Sequence, residues 1–412
     1  MRNKIILWSV ASFALATLIV GTGILSYFIG YNRMLNRPYT VVRSDVNFIY
    51  VNYATLPILH SSLHFLSHDT PSYVFFGRDN TYYVNKMPDH VQLFSPGDAN
   101  IAVTPTVIAE RTRQLVADIE EVNPGSTYHF FVDDFMTLLP FYALLRNNIP
   151  LERAHITLIT NGTATYHHFF TMVDFTGTQE KLEDWLEIFK GTAQVTPSVL
   201  TDTRNLSLAA AMMPNVEWWM QFPEFMFLHP HATPAVRQML MQASLVKVQP
   251  QDLLHRLTPE MRDLFFNATI GHPTFQIGDQ PLRTALDGYF NNQEKPIMII
   301  SGTNPNSPTL ATTILDQIIE EFSDDYILMW KPHPAYTATD AAMQARGITV
   351  LPARLPMEVL MWAYPDLYIG GYQSSLYLAT AIGQTRFTIG GFTLEILEFL
   401  DDNNWFNISH TF

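Results

Sequence analysis

The sequence predicts an α/β protein made of two doubly wound halves behind an apolar N-terminal segment, and three observations carry that prediction. From residue 296 onward, short continuous apolar runs alternate with helical patterns. Strands covered on both faces of a parallel sheet read this way, because the crossover helices leave no face to water. The same alternation, less regular, runs through "YHFFVDD" and "HITLIT" upstream. Residues 5–31 contain no charged side chain at all.

Taken in order, that first segment is flanked by Arg2 and Lys4 before it and by Arg33 and Arg37 after it. It exceeds the roughly 20 residues that a bilayer-spanning helix needs. It is also long for the core of a signal peptide, so an uncleaved single-pass anchor is expected; cleavage near "VGTG" is the competing reading. Basic residues on both sides leave the orientation open. After a linker, β-like runs ("NFIYVNYA", "SYVFFG", "TYYVNK", "VQLF") reach about residue 100. A helix is expected over 107–122, strands at "YHFFVDD" and "HITLIT" with a helix "FMTLLPFYALLRNN" between them, and an amphipathic helix closed by Gly191. Residues 200–290 read as mostly helical. Then come strand "PIMIIS", helix 308–322, strand "YILMWK", a helix near 338–345, strand "ITVLPA", helix 356–363, strand "LYIGG", helix 374–382, strand "RFTIGG" and a helix to about 403. The polar stretch "NNQEKP" marks the boundary, giving an anchor and linker over 1–40, one domain over 41–290 and a second over 291–412. The last helix is expected to be able to pack back on the first domain.

Composition narrows the function. The chain of 412 residues is 47% hydrophobic and 13% aromatic, which describes a well-buried globular protein. A formal charge of −14 without any Lys/Arg run excludes a nucleic-acid partner. The absence of cysteine excludes disulfides, thiolate metal sites and a cysteine nucleophile. No carboxylate or histidine pattern has metal-ligand spacing, so no metal is expected.

In open α/β sheets, ligands sit outside the carboxyl ends of the strands. In the second half those ends read "SGTNPNS", with Gly302 and Thr303, then "KPHPAYT", "PARLPME" and "GGYQSSLY". Lys331 supplies a cation, and His333 can bind a phosphate oxygen and protonate it as it leaves. Ser374 and Ser375 stand where a helix should start, so hydroxyls and backbone N–H groups could hold an anion. A simple N-cap is the alternative reading of that serine pair.

These segments resemble the bacterial CMP-sialic acid-dependent sialyltransferases of glycosyltransferase family 80. That family carries Lys-Gly-His-Pro after one strand and Ser-Ser-Leu-Tyr after a later one, where this chain has "KPHP" and "ARLPMEVLMWAYPDLYIGGYQSSLYLA". "HRLTPEMRDLFFNATIG" is similar to the family segment that precedes its central loop, and "IISGTNPN" stands at that loop. The resemblance extends over about residues 125–385. It implies two Rossmann-like domains of the GT-B type, an acceptor side first and a nucleotide-sugar side second. It also implies contact of Lys331, His333, Gly302 and Thr303 with the donor, His333 as general acid, Ser374 and Ser375 on the CMP phosphate, and Glu358 on the ribose hydroxyls.

The departure lies on the acceptor side. Where the family has Asp-Asp-Gly, the second Asp being its general base, this chain has Thr160, Asn161 and Gly162. An amide does not usefully accept a proton, so Asn161 cannot serve alone. Asp133 and Asp134, at the end of the preceding strand, are the substitutes to consider, with a helix N-cap as their alternative role. His167 and His168 are further candidates. "GTNPNS" also lacks the family's tryptophan.

The expectation is therefore an inverting transferase, with no cofactor beyond the CMP-sugar that is its substrate. It would move sialic acid or a related nonulosonic acid to a glycan or glycolipid hydroxyl, held at a bacterial inner membrane through residues 5–31. Two alternatives remain beside it: a CDP-polyol phosphotransferase of capsule or teichoic type, and a degenerate homologue that binds CMP-sugar or glycan without turnover.

Overall fold

The computed structural model describes residues 46–76, 86–94, 104–191, 195–292, 295–302, 312–333 and 339–412. The expected anchor over 5–31, most of "TYYVNK", Thr303 and the start of helix 308–322 lie outside the described residues. Among the described residues, no helix is long and apolar enough to cross a membrane.

Two parallel sheets dominate. The first contains β1 (Val46–Asn52), β2 (Ser72–Phe76), β3 (Val91–Phe94), β4 (Thr127–Asp133), β5 (Ala154–Ile159), β6 (Val216–Met220) and β7 (Leu245–Lys247). Their order is β3-β2-β1-β4-β5-β6-β7, with every pairing parallel. A short antiparallel hairpin, β8 (Gln276–Ile277) and β9 (Gln280–Pro281), follows. The second sheet contains β10 (Ile297–Ser301), β11 (Ile327–Lys331), β12 (Thr349–Val350), β13 (Tyr368–Gly371), β14 (Thr385–Thr388) and β15 (His410–Thr411). It is also parallel, in the order β12-β11-β10-β13-β14-β15. Each sheet winds one way and then the other, switching between β1 and β4 in the first and between β10 and β13 in the second. The crevice at such a switch point is where open α/β sheets bind ligands.

The apolar runs became strands for the expected reason: all of β10 is buried, as is β4 after its first residue. Three expectations need correction. Thr55–Phe65 is a helix, where the sequence predicts β-like runs and turns as far as about residue 100. Every residue from Leu56 to Phe65 is buried, His60, Ser61, Ser62 and His64 included, so the helix has no solvent face to set a helical period. Strands β6 and β7 fall inside the stretch read as mostly helical; "VEWWM" is buried along its whole length and carries no alternation. The expected helix 374–382 is a single 3-10 segment, Ser375–Ala379. Smaller shifts are that helix 107–122 begins at Pro105 behind a Thr104 cap, and that "FMTLLPFYALLRNN" divides into a 3-10 turn and the helix Leu139–Arg146.

That 3-10 segment joins the two halves. Tyr377 and Leu378 pack into the core that covers one face of the first sheet, together with Ile396, Leu397 and Leu400 of the last helix, Glu395–Asp402. Leu376 and Ala379 pack into another core, which contains Phe131 and Trp219 of the first sheet and Ile299, Met329 and Ile369 of the second. Gln221 and Gln251 of the first half donate to the carbonyls of Leu378 and Ala379 at 3.0 and 2.9 Å.

Candidate active site

The site forms where the carboxyl edges of the two sheets meet. On the second sheet, β10 ends at Ser301 and Gly302, and the Gly302 N–H donates to the Lys331 carbonyl at 2.7 Å. Across the switch point, Gly371 has φ +134°, and a β-carbon there would lie 2.5 Å from the Ser301 carbonyl oxygen. Only glycine closes these strand ends so tightly.

Lys331 ends β11 and is 5% exposed. Its ammonium donates to the carbonyls of Pro332 and Ala353, both at 2.7 Å. Burial lowers its pKa to about 8, against the favourable fields of Glu358 and Asp340. Lys331 thus ties the carbonyls of Pro332 and Ala353 together and places a positive charge beneath the strand end. His333 follows, half-buried. Glu358, also half-buried, sits in the first turn of the helix Met357–Ala363.

Ser374 has an extended backbone, and its hydroxyl caps the 3-10 segment by accepting from the Leu376 N–H at 3.3 Å. The loop before it is held by Gln373, whose side-chain oxygen accepts from the N–H groups of Thr393 and Leu394 at 2.8 and 3.0 Å. One 3-10 turn has a much smaller dipole than the expected α-helix, so the hydroxyls of Ser374 and Ser375, both half-buried, are the principal polar groups of this wall.

The first sheet supplies the facing wall. Asp133 ends β4 and is fully buried. Its carboxylate accepts from the N–H groups of Tyr53 (3.3 Å), Ala54 (3.0 Å) and Phe135 (3.0 Å), which ties the end of β1 to the end of β4. Asp134, also fully buried, accepts from the Asn161 N–H at 3.2 Å and the Thr165 hydroxyl at 2.7 Å. Desolvation raises the pKa of both carboxyls; for Asp134 the neighbouring Asp133 charge adds to it and the shift is larger. The Arg204 charge opposes the rise, and the guanidinium itself is bonded to Asp202 at 2.8 Å. Neither aspartate reaches solvent, and both act on the ends of neighbouring strands.

Asn161 is half-buried and is positioned by Asp134. Next to it, Gly162 has φ +58°, and a β-carbon there would stand 3.0 Å from Ser375 Cβ and 3.4 Å from Ser375 Oγ. The turn that carries Asn161 therefore lies directly against the serine pair, across the junction of the halves. His167 and His168 lie further along the helix Thr163–Met172; His167 faces solvent, and His168 is half-buried. His168 lines a small hollow with Thr165 and Arg204. Sequence reasoning passed over Thr165 and Arg204, and neither carries a local signal.

No protein-family model matches the sequence, and no curated protein matches it either. Solved structures do. An α/β-galactoside α-2,3-sialyltransferase from Photobacterium phosphoreum superposes with a TM-score of 0.64 at 14% identity, over 89% of this chain and 99% of that one. A 2,6-sialyltransferase from another Photobacterium, solved as a ternary complex with CMP and lactose, gives 0.64 at 14%, over 88% and 78%. The GT-B domain of the Photobacterium damselae sialyltransferase gives 0.64 at 16%, over 88% and 98%. This chain has the GT-B fold of those enzymes. These neighbours are bacterial sialyltransferases of glycosyltransferase family 80, the family that the strand-end motifs resemble. At this identity the likeness is one of fold, with two parallel sheets meeting at their carboxyl edges.

Proposed function

We propose that the protein is an inverting glycosyltransferase that moves sialic acid, or a related nonulosonic acid, from its CMP donor to a hydroxyl of a glycan acceptor. The observation that carries this reading is the approach of Gly162 to Ser375. It puts the strand end that would activate the acceptor against the serine pair that would hold the donor phosphate. The shared fold supports the reading, and one neighbour was solved with CMP and lactose.

In this reading residues 291–412 hold the donor and residues 41–290 face the acceptor. Ser374 and Ser375 hydrogen-bond the CMP phosphate, Glu358 accepts from the ribose hydroxyls, and Gly302 and Thr303 line the donor side. His333 donates a proton to the departing phosphate while the Lys331 charge stabilises it from below. The acceptor oxygen forms its bond to the anomeric carbon as the carbon–phosphate oxygen bond breaks on the opposite face, configuration inverts, and the acceptor's proton passes to water, since Asn161 is an amide and Asp133 and Asp134 are buried. The phosphate charge is met by His, Lys and hydroxyl groups, so the transfer needs no metal. Residues 5–31 would hold the enzyme at a membrane, the bacterial inner membrane by the resemblance.

A second reading, a homologue that binds the donor without turnover, is favoured by the Asn161 amide and by the complete burial of Asp133 and Asp134. Incubating the full-length chain with CMP-sialic acid, with and without lactose, separates the readings. Release of CMP with a sialylated product of inverted configuration supports transfer. Saturable CMP binding without release supports the non-catalytic reading. Turnover of CDP-glycerol with none of CMP-sialic acid would replace both with a polyol phosphotransferase.

A further inference from the structure

We propose that His129, His155 and Glu217 form a binding site for one divalent transition-metal ion, zinc by preference, in the first sheet and away from the transfer site. His129 on β4 and His155 on β5 are register partners. Glu217 lies on the next strand, paired with Thr157 of β5. Alternation along a strand puts His129, His155, Thr157 and Glu217 on the face that also carries Phe131, Ile159 and Trp219. One ligand atom from each of His129, His155 and Glu217 can be chosen so that all three lie within 4.8 Å of one another.

Two imidazoles and one carboxylate are a zinc-type donor set. Calcium and magnesium, which favour six or more oxygens, suit it poorly. With metal–ligand bonds of about 2.0–2.2 Å, the donor atoms of a tetrahedral site stand roughly 3.3–3.5 Å apart, so closure asks for side-chain shifts of about 1 Å. The Thr157 hydroxyl now bridges the group: it donates to Glu217 Oε1 at 3.0 Å and is 2.9 Å from His129 Nε2. An ion would take the place of that bridge. The carboxylate is already oriented, because Trp219 Nε1 donates to the same oxygen at 2.8 Å, the kind of outer contact that steadies metal ligands.

Burial favours the ion as well. Glu217 is 7% exposed, and His155 Nε2 lies 3.7 Å from its carboxylate. A cation beside it would add to the hydrogen bonds from Thr157 and Trp219 that already hold this buried carboxylate. The side chain of His155 is 32% exposed, which gives an entry path and room for a water as fourth ligand. His129 precedes Asp133 by four residues, about 13 Å along a strand, so the ion would not touch the transferred sugar. It would cross-link three adjacent strands behind the acceptor wall.

The test uses tag-free full-length protein, stripped with a chelator and titrated with zinc chloride. The expected result is one zinc per chain by calorimetry, a melting temperature raised by about 5 °C at saturating metal, and a tetrahedral visible spectrum with cobalt. E217Q and H155A, each checked for an unchanged metal-free fold by circular dichroism, should weaken binding at least tenfold and lose the cobalt spectrum. The double variant H167A/H168A, which removes a histidine pair elsewhere, should bind as wild type does. Absence of saturable zinc binding by the wild type, or equal affinity in E217Q and H155A, would overturn the proposal.

Discussion

Gly162 and Ser375 are 213 positions apart in the chain, yet a β-carbon on the glycine would fall 3.0 Å from the serine's. This contact joins the turn after β5 to the 3-10 segment after β13, and so joins the two sheet edges. Gly162→Ala adds that carbon at φ +58°, ψ −146°, a glycine-favouring conformation where a side chain costs about 1–3 kcal/mol. The variant should lose about that much stability in urea, and CMP affinity should fall about tenfold as the serine wall is displaced. Unchanged CMP affinity would place the nucleotide elsewhere.

His333→Ala should leave CMP bound, though more weakly, and lower the transfer rate about 10²–10⁴-fold, the usual loss for a positioned acid. Steady-state rates with CMP-sialic acid and lactose measure this. Wild-type turnover would remove His333 from the chemistry.

Asn161→Asp restores a carboxylate at the position where the resembled family carries its base. Transfer should rise at least tenfold, with little change in the KM for the donor. An unchanged rate would mean that another group already accepts the proton.

The two buried aspartates should respond differently. Asp133 accepts three backbone N–H groups, so Asp133→Asn turns an amide donor toward donors and should cost about 1–3 kcal/mol. Asp134→Asn keeps an acceptor for the Asn161 N–H, and the Thr165 hydroxyl can reverse its bond. Burial and Asp133 hold the Asp134 pKa well above the ordinary value. The wild type is therefore most stable relative to D134N below about pH 4 and loses that margin as pH rises through the raised pKa. Urea titrations of both proteins at pH 4 and pH 7 check the sign.

Lys331 gives the opposite slope. Its pKa falls from the ordinary 10.5 to about 8, so burial penalises the ammonium form below that pH. Relative to Lys331→Met, the wild type should gain about 3 kcal/mol of stability between pH 8 and pH 10.5, at roughly 1.4 kcal/mol per unit. A flat difference across that range would mean that the lysine is not buried as described.

Most of the strand and helix alternation in the second half is legible in the residues alone, as is the placing of Lys331 and of "GGYQSS" at strand ends. Those are local signals: an apolar run, a proline or paired glycines act on their own neighbours in the chain. The residues alone do not show the helix Thr55–Phe65 or β6, because an element buried on every side has no polar face and therefore no period. Whether Lys331 and the two aspartates face a ligand or the interior was decided by carbonyls and N–H groups from distant segments, such as Ala353 and Tyr53. His129, His155 and Glu217 show no metal-ligand spacing in the chain; the parallel register of β4, β5 and β6 brings them together. The meeting of Asn161's turn with Ser375 belongs to the same class. Contacts between strands and between halves depend on register and packing across the whole chain, which no local pattern of residues encodes.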